Sequence, residues 1–556
     1  MKKNVFFRTA LFALLSVATL SCGDDNNDPA VTPDPPVVTP DPPAESGLTL
    51  AEAEALANAV YGPLQTLSSS YSFLLESATE AAISFEEVDD SKDGPQVSVF
   101  ETTPSNWYPI KVFNRLYKSV GAANLAIEEI SASNTNSSLT EENKALLIAR
   151  SKFIRGYDYF QLAQLFGEVP LILSPGSTET ARASIDAVYE QVTKDLTEAL
   201  PALPAFDANK ANPSQGAANA ILAKAYLAWG QIPVTSAEIE AIAGTNDPAK
   251  PAPDTEKLQK AVDYANSVIN SGNYRLLDDY NAIWGVENEN NAEVIFSIHH
   301  DGDGIDAQGN HQTHCGFTWP KSARTDPHIS YADITLENRI PEGDVRKLFS
   351  YVARVEYVDG AIDTLTWPIS IVRPGKWIHR TADGTYRAVD EQPNSIDHID
   401  FRYAEVLLVK AEALFFQNKA PEALPLVNEI RQRAFGGQGG EVSAPLSKED
   451  LYSEWEREFA FEQKHWLNLT RWRTLLSKIK NTVPGYEYYK PEYASAESIR
   501  AAFPEIAGEI NAPFYARVHK HLHAKVDNLH GKFYRFPIPL SEDYTDLGVG
   551  PQNPGY

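Results

Sequence analysis

One segment most constrains what this chain can fold into: residues Ala149 to Leu173, which read ARSKFIRGYDYFQLAQLFGEVPLIL. From Leu146 to Phe166 the chain contains no proline and a single glycine, and its apolar residues occupy more than one helical face. A helix that is apolar on several faces is packed between neighbours and not laid on a surface. We therefore predict a central helix that ends at Gly167, because glycine supplies the left-handed residue past a helix end.

Other segments are expected to provide this helix with partners. Thr140, followed by two glutamates, is a predicted N-cap for the central helix. Arg150 and Arg155 lie in its largely apolar sequence, so each needs a carboxylate or carbonyl partner. Apolar spacing predicts further helices at 49–67, 107–130, 185–200, 214–229, 255–270, 399–417, 421–434 and 448–472. Successive helical pairs without a strict 34-residue period predict a degenerate TPR-like (tetratricopeptide-like) scaffold, mostly α.

The middle of the chain lacks the helical periodicity of the segments on either side. Residues 71–100 are expected to be loop, and residues 293–298 a short strand. Residues 352–358 and 365–372 are predicted strands that could form a hairpin. A long Gly-, Asp- and His-rich stretch without periodicity follows the predicted strand at 293–298. The sequence therefore predicts a loop-rich excursion on the helical scaffold, where binding residues are often placed.

Six ordered motifs carry a resemblance to a known family. The central helix reads R-x-x-F-x-R-x-Y-x-Y-F-x-L-x-x-L-F-G-x-V-P-L and resembles the signature segment of the SusD/RagB family. RYAEVLLVKAEAL, VNEIRQRA, E-R-x-x-E-F-x-F-E-x-x-x-W-x-x-L-x-R-W, FPIP and QNPGY follow in the family's order. One departure is K-H-W-L-N-L, where the family commonly has R-W-F-D-L. The resemblance spans nearly all of the chain from about residue 100 and implies an outer-membrane nutrient-binding lipoprotein of Bacteroidetes-type bacteria.

The N-terminus reads as a targeting segment. Residues 1–21 have a basic start and an apolar run, which is typical of a secretory signal peptide. Cys22 at the boundary predicts lipidation, although the box lacks the usual leucine three residues earlier, and ordinary cleavage near Ser21 is the alternative. Residues 22–46 contain an acidic cluster, which resembles a surface-export signal, and a proline-rich tether. Residues 47–556 are then expected to form a single SusD-like domain.

Charge and cysteine content narrow the partners. The net charge of −27 argues against nucleic acid and against an anionic bilayer as the main partner, since both need a basic surface. Membrane attachment would therefore depend on a lipid anchor. Only Cys22 and Cys315 occur, so no disulfide framework is possible and the fold must be held by its core.

Catalytic arrangements are weakly supported. Glu454, Glu456, Glu458 and Glu462 could supply the two carboxylates of a glycoside hydrolase. Three of them are spaced one helical turn apart, and pairing with Arg457, Lys464, Arg471 or Arg473 is the plainer interpretation. Cys315 directly follows His314, which is a poor geometry for a nucleophile and its base. We therefore predict no enzymatic activity.

Metal ligation is also weakly supported. Asp301, Asp303 and Asp306 resemble an acidic calcium loop, but glycine falls at position 4 and Gln312 at position 12, which departs from the EF-hand pattern. The histidines show no fixed ligand spacing and are interpreted as solvated loop residues: His299, His300, His311, His314, His519, His521 and His523. No cofactor is expected, and calcium at the aspartates is the alternative.

Aromatic side chains in irregular segments are the candidate ligand contacts, because sugar rings stack on aromatic faces. Trp319, with Phe317 and Arg324 in the same stretch, comes first, since family members contribute stacking residues from a mid-chain loop. The other candidates are Asn106 and Trp107 at the start of a long helix, Trp284 and Tyr71. Packing in the core is the alternative for each of them.

The resemblance implies a function. It predicts capture of a nutrient, most often a glycan, at the cell surface and delivery to a SusC-like TonB-dependent outer-membrane transporter. With a few stacked rings and hydrogen bonds, the affinity should be modest, roughly micromolar to millimolar. The alternatives are a secreted glycan-active hydrolase and a structural or adhesin-type surface lipoprotein.

Overall fold

Helices dominate the structure, a computed structural model that describes residues 47–84, 92–242, 244, 246–300, 330–332, 339–347, 351–352, 355–358, 361–364, 373–374, 376, 397–508, 512–539 and 550–556. These residues all belong to one compact unit, Ser46–Tyr556. The helices are α1 (Leu50–Asn58), α2 (Tyr61–Gln65), α3 (Ser68–Leu75), α4 (Asp93–Ser98), α5 (Trp107–Ala132), α6 (Glu141–Phe166), α7 (Ile185–Ala199), α8 (Gln215–Gly230), α9 (Ser236–Ala241), α10 (Thr255–Asn270), α11 (Tyr403–Phe416), α12 (Ala420–Ala434), α13 (Lys448–Glu458), α14 (His465–Trp472), α15 (Leu475–Thr482), α16 (Ala496–Ala502) and α17 (Ala512–Asp527). Within the described ranges, none of them has the length and apolar character to cross a membrane.

The predicted central helix is confirmed as α6. It begins after Thr140, whose hydroxyl accepts a hydrogen bond from the Asn143 N–H at 3.2 Å. It ends at Gly167, where φ is +80° and an added Cβ would lie 2.4 Å from Nε of Arg535. Glycine is therefore required there by both backbone conformation and space. Helix α6 packs between α5 and α7, as its apolar faces predicted.

Arg155 joins the three helices of this central layer. Its Nε and Nη2 donate to the two carboxylate oxygens of Asp195 on α7 at 2.9 and 2.7 Å, and its Nη1 donates to Asn124 on α5 at 2.8 Å. Arg150 lies 3.9 Å from a carboxylate oxygen of Asp207. Both arginines thus have the carboxylate partners that their place in an apolar helix predicted.

The stack continues in chain order. Helix α8 packs against α7 and α10, and α11 packs against α10 and α12. The small residues of α8 allow close approach, since an added Cβ on Gly230 would lie 2.9 Å from the Leu258 side chain on α10. The predicted mostly helical, SusD-like scaffold with successive packed helices is confirmed.

Within the described residues, eight short strands pair two by two, all antiparallel. The pairs are β1 (Ala82–Ser84) with β3 (Ser330–Ala332), β2 (Val294–Ile298) with β8 (His398–Arg402), β4 (Tyr351–Val352) with β7 (Arg373–Pro374), and β5 (Val355–Val358) with β6 (Ala361–Thr364). Two predictions are corrected here. Residues 399–402 form a strand and not the first turn of a helix, because they pair with β2. The hairpin partner of β5 is 361–364, whereas 365–372 lie outside the described residues.

Helix boundaries differ from the predictions at three places. The first predicted helix is divided at Ala59, because Pro63 lacks an N–H and its ring excludes the carbonyl four residues earlier. Residues 71–100, predicted as loop, include the end of α3, strand β1 and helix α4. The predicted helix 448–472 is two helices, α13 and α14, separated by a turn in which Phe461 and Gln463 have φ near +61° and +62°. In this turn, the carboxylate of Glu462 accepts hydrogen bonds from Lys376 and Arg402.

Candidate functional site

A fully buried group of charges, here called the ionic layer, joins the mid-chain segments to the last helices. It contains five cations and five carboxylates, so its formal charges cancel: Arg346, Lys376, Arg402, Arg431 and Arg433 with Glu293, Asp344, Glu454, Glu458 and Glu462. Such a group is tolerated away from water only when each charge is paired and hydrogen-bonded.

Glu458 is the centre of the ionic layer. One of its carboxylate oxygens accepts from Arg402 and Arg433, and the other accepts from Nη1 of Arg346 at 2.8 Å. Its backbone carbonyl accepts from Nζ of Lys376 at 2.9 Å. Burial alone would raise the pKa of Glu458, but the three arginines hold it well below its usual range.

These contacts support the structural interpretation of the glutamates on α13. Glu454 pairs with Arg346 and Arg431, and Glu456 pairs with Lys478 at 2.6 Å. Of the four cations that the sequence suggested as partners, only Arg457 approaches one of these carboxylates, at 3.9 Å from Glu454. The actual partners come from remote segments, which helical spacing could not reveal. The carboxylates of Glu454 and Glu458 are closed to a substrate.

One group of potential metal ligands lies in the described ranges: Glu80, Glu456 and His465. The negative charges of its two carboxylates are already neutralised by cations of the protein. Nε2 of His465 lies 2.8 Å from Glu80, and Nζ of Lys478 lies 2.6 Å from Glu456 and 3.9 Å from Glu80. Against the effect of burial, Glu80 raises the pKa of His465, which favours the imidazolium over the neutral ring that a metal requires. The geometry fits a salt-bridge network better than a metal centre.

The start of α5 presents an exposed indole, here called the Trp107 surface. Trp107 is 49% exposed, the largest fraction among the exposed large apolar side chains of the described residues. The ring of Tyr108 meets it edge-on, with centroids 5.1 Å apart at 81°. Nζ of Lys111, one helical turn later, lies 4.5 Å from the indole centroid. Exposed aromatic area beside a cation is suited to binding a ligand with both C–H faces and polar groups.

Asn106 holds this surface in place. Its side-chain oxygen accepts from the Tyr108 N–H at 3.2 Å, as an N-cap does. Its amide nitrogen donates to the Asp93 carbonyl at 2.9 Å and to Gln96 at 3.2 Å, which ties α4 to the start of α5. Asn106 is only 1% exposed, so its side chain is covered in the structure. Asn106 caps the first turn of α5, which begins at Trp107, and its place before a helix is the signal that could have shown this.

Helix α17 and the residue after it are hydrogen-bonded to the segments that precede α5. Nε2 of His521 and the Ser98 hydroxyl are 2.8 Å apart, and the Asn528 amide donates to the Val99 carbonyl at 2.9 Å. The buried ammonium of Lys525 donates to three backbone carbonyls: those of Ser77, Thr79 and Ala82. The Trp107 surface is thus built on helices whose relative positions are fixed by hydrogen bonds.

Two other sequence candidates are interior residues. Trp284 is 2% exposed, and its ring lies among Tyr280, Lys376 and Arg402. Tyr71 is 5% exposed and belongs to the main hydrophobic core. Both rings are covered in the structure, as in the core-packing alternative. Lys111 is a buried neighbour of the Trp107 ring that was not among the sequence candidates. Its spacing of four from Trp107, which places both residues on one helical face, could have indicated it.

Several sequence candidates lie outside the described residues. They are Cys22, Asp301, Asp303, Asp306, His311, His314, Cys315, Phe317, Trp319 and Arg324. Among the described residues, Trp107, Asn106 and Lys111 lie together at the start of α5. His519, His521 and His523, interpreted as loop histidines, lie on α17, which corrects that expectation.

Comparisons with known proteins agree with this architecture. A SusD-like family model described as "Starch-binding associating with outer membrane" matches residues 45–227, and the SusD family model matches residues 365–556. A SusD-like protein of Formosa agariphila is 26% identical over 430 residues, covering 71% of this chain and 77% of the relative. One from Bacteroides ovatus is 23% identical, with 70% of each chain covered.

Solved structures show the same fold. A SusD homolog from Bacteroides thetaiotaomicron has a TM-score of 0.68 at 20% identity, covering 91% of this chain and 97% of that one. A laminarin-binding SusD-like protein has a TM-score of 0.64 at 22% identity, with 91% and 99% covered. A structure with a xylogluco-oligosaccharide has a TM-score of 0.60 at 20% identity, with 77% and 84% covered.

Fold and family models together define a class of protein: a helical scaffold of the kind described as associating with the outer membrane. The chain belongs to the SusD/RagB family.

Proposed function

We propose that this protein is a cell-surface lipoprotein that binds a glycan and delivers it to a SusC-like TonB-dependent outer-membrane transporter. The observation that carries the binding part is the exposed indole of Trp107, held by the Asn106 cap on a SusD-family scaffold. A rigid aromatic ring contributes binding area with little loss of conformational entropy.

The chemistry of the Trp107 surface suits a sugar. Pyranose rings present apolar C–H faces that pack on an indole, while hydroxyl groups need donors and acceptors nearby. The Lys111 ammonium, 4.5 Å from the indole centroid, is buried and places a positive charge beside the ring. We propose that Phe317, Trp319 and Arg324 add further contacts from the mid-chain stretch.

The neighbours support glycans as the ligand class. The matched structures include a laminarin-binding protein, one with a xylogluco-oligosaccharide, and a surface glycan-binding protein from Bacteroides fluxus. These ligands belong to the neighbouring proteins, and we choose the same glycans as binding probes for this one.

The proposal includes the absence of catalysis. The carboxylates of Glu454 and Glu458 on α13, and of Glu462 in the turn after it, are paired with buried arginines and a buried lysine in the ionic layer. We therefore expect binding without turnover of laminarin, xyloglucan or starch. Release of reducing sugar by the purified protein, lost in a Glu456→Ala variant, would instead support the hydrolase alternative.

Affinity electrophoresis tests the binding proposal. Wild type, Trp107→Ala and Phe206→Ala are run in native gels containing laminarin, xyloglucan or starch. Phe206 is a matched control, because it is also an exposed ring with a lysine, Lys210, 3.8 Å from its centroid. We expect at least one glycan to retard wild type and Phe206→Ala but not Trp107→Ala. Equal retardation of all three proteins would refute the role of Trp107.

Membrane attachment and partnership have their own tests. A Cys22→Ala variant should lose its lipid and leave the membrane fraction, whereas the wild type stays with it. Detergent extraction of the wild type should co-purify a large β-barrel transporter. A lipid-free wild-type protein would contradict the lipid anchor, and a lipidated protein that extracts without a barrel would argue for the adhesin-type alternative.

A further inference from the structure

We infer that His519 and His523 on α17 form a surface site for a late first-row divalent cation such as Cu²⁺ or Zn²⁺. The two residues are four apart in an α-helix, so their side chains lie on the same face. Their ring centroids are 4.3 Å apart, tilted by 38°. Both side chains are partly exposed, which leaves the pair reachable from solvent.

One of the two rings already has the hydrogen bond that orients a metal ligand. Nε2 of His523 lies 3.2 Å from the backbone carbonyl of Tyr489. A carbonyl only accepts hydrogen bonds, so Nε2 carries the proton and Nδ1 of the neutral ring carries the lone pair. Metal-ligating histidines usually donate their other ring N–H to such an oxygen. His523 is therefore set in a ligand's tautomer before any cation arrives.

Stacking fixes the same ring further. The His523 imidazole lies on the Tyr489 ring, with centroids 3.8 Å apart and planes at 15°. Tyr489 ends a short 3-10 turn, Glu487–Tyr489, that packs against α17. A ring held by both stacking and a hydrogen bond loses little freedom on binding a cation, which favours affinity.

The neighbouring charges on the helix distinguish this pair from the Glu80 group. Asp527 follows His523 by one turn and is exposed, so it adds a negative charge on the same helical row. His521, between the two histidines, is buried and lies 2.8 Å from the Ser98 hydroxyl, away from the pair. At Glu80, by contrast, Lys478 lies at 3.9 Å and His465 at 2.8 Å and supply the compensating charge.

The ligand chemistry selects the class of cation. Neutral imidazoles suit Cu²⁺, Ni²⁺ and Zn²⁺, whereas Mg²⁺ and Ca²⁺ require oxygen ligands. Two protein ligands leave further coordination positions for water. The expected order of affinity is Cu²⁺ above Zn²⁺, as for nitrogen sites in general.

Titration calorimetry on the untagged full-length protein in detergent tests the site, with ZnCl₂, CuCl₂ and MgCl₂ as probes. We expect Zn²⁺ binding to weaken at least tenfold in His519→Ala and in His523→Phe. The phenylalanine keeps a ring for Tyr489 to stack on but removes both nitrogens. His530→Ala is the matched control, since His530 is exposed and lies beyond the end of α17. Its Zn²⁺ isotherm should equal that of the wild type, and MgCl₂ should give no heat in any variant.

Copper spectroscopy provides an independent measurement. The electron paramagnetic resonance spectrum of one equivalent of Cu²⁺ should show coupling to two imidazole nitrogens in the wild type, and to fewer in either variant. The inference is overturned if His523→Phe binds Zn²⁺ as the wild type does, if His530→Ala loses as much affinity, or if the wild type binds neither cation.

Discussion

In the ionic layer, five cations meet five carboxylates away from water, whereas at the start of α5 a single indole stands half exposed beside one lysine. The first arrangement satisfies every charge from within the chain and leaves nothing to offer a ligand. The second leaves an aromatic ring open. This difference teaches that abundant carboxylates, which suggest chemistry in a sequence, here hold segments together, while a ring at a helix end is available for recognition.

The largest effect on stability is expected for Glu458→Ala. Removal of this carboxylate leaves three buried arginines short of a partner, and breaking a buried pair typically costs about 3–5 kcal/mol of unfolding free energy. We expect a loss at the upper end of this range in chemical denaturation. Glu449→Ala, an exposed control on the same helix, should change stability by less than about 0.5 kcal/mol. Similar stability for both variants would show that the ionic layer is not structural.

A smaller loss is expected at the isolated pair in the helical stack. Arg155→Leu leaves one buried carboxylate, Asp195, without its bidentate partner. We expect a loss of about 3 kcal/mol, and its partial recovery in Arg155→Leu/Asp195→Leu, because replacing both charges by apolar groups is far less costly than removing one. Denaturation of the single and double variants measures this. A double variant less stable than the single one would contradict the comparison.

Glu76 provides a carboxyl group with the opposite pH dependence from Glu458. Burial raises the pKa of Glu76 to about 7, above the 4.5 of the unfolded chain. The folded state then holds a proton that the unfolded state has lost, so this group's contribution to stability falls as pH rises from 4.5 to 7. Glu76→Gln should therefore be more stable than wild type by about 1–3 kcal/mol at pH 8, and equally stable at pH 4. A variant that is destabilised at pH 8 would contradict this assignment.

For Glu458 the sign is reversed. Its folded pKa lies below the unfolded value, so its stabilisation is complete above the unfolded pKa and is lost as pH falls through the acid range. The combined contribution of these two groups to stability is therefore greatest near pH 4.5, where the two ranges meet.

The smallest effect on stability is expected for Trp107→Ala. The indole is half exposed, so its removal should change the unfolding free energy by less than about 0.5 kcal/mol. Its loss of glycan affinity should nevertheless be about tenfold, since stacking of this kind contributes about 0.5–1.5 kcal/mol in addition to the free energy of the apolar area that the sugar buries. Thermal unfolding and calorimetry of the same preparation measure both. A clear drop in unfolding free energy would show that the Trp107 ring stabilises the fold in the way that the ionic layer does.

Local signals in the sequence predicted the scaffold well. The limits of α6 follow from Thr140 and Gly167, and the need of Arg155 for a carboxylate or carbonyl partner follows from its apolar surroundings. The strand at 398–402 could not be separated from α11, because its apolar residues continue the helical spacing and only pairing with β2 decides. The turn between α13 and α14 is made by non-glycine residues at positive φ, for which no local signal exists.

The candidate site was only partly predictable. Trp107 and Trp284 both lie beside loops in the sequence, yet one is half exposed and the other is covered by the ionic layer. Exposure depends on segments that are distant in the chain, such as Lys376 and Arg402, and single-residue patterns do not report it.

A crystal structure of the wild type with the oligosaccharide that binds best in the gels tests the central claim most directly. The account predicts a sugar ring stacked on the Trp107 indole, within about 4 Å, with the Glu458 carboxylate still held by its arginines. A bound sugar that leaves Trp107 uncovered, or that reaches the carboxylates of the ionic layer, would contradict it.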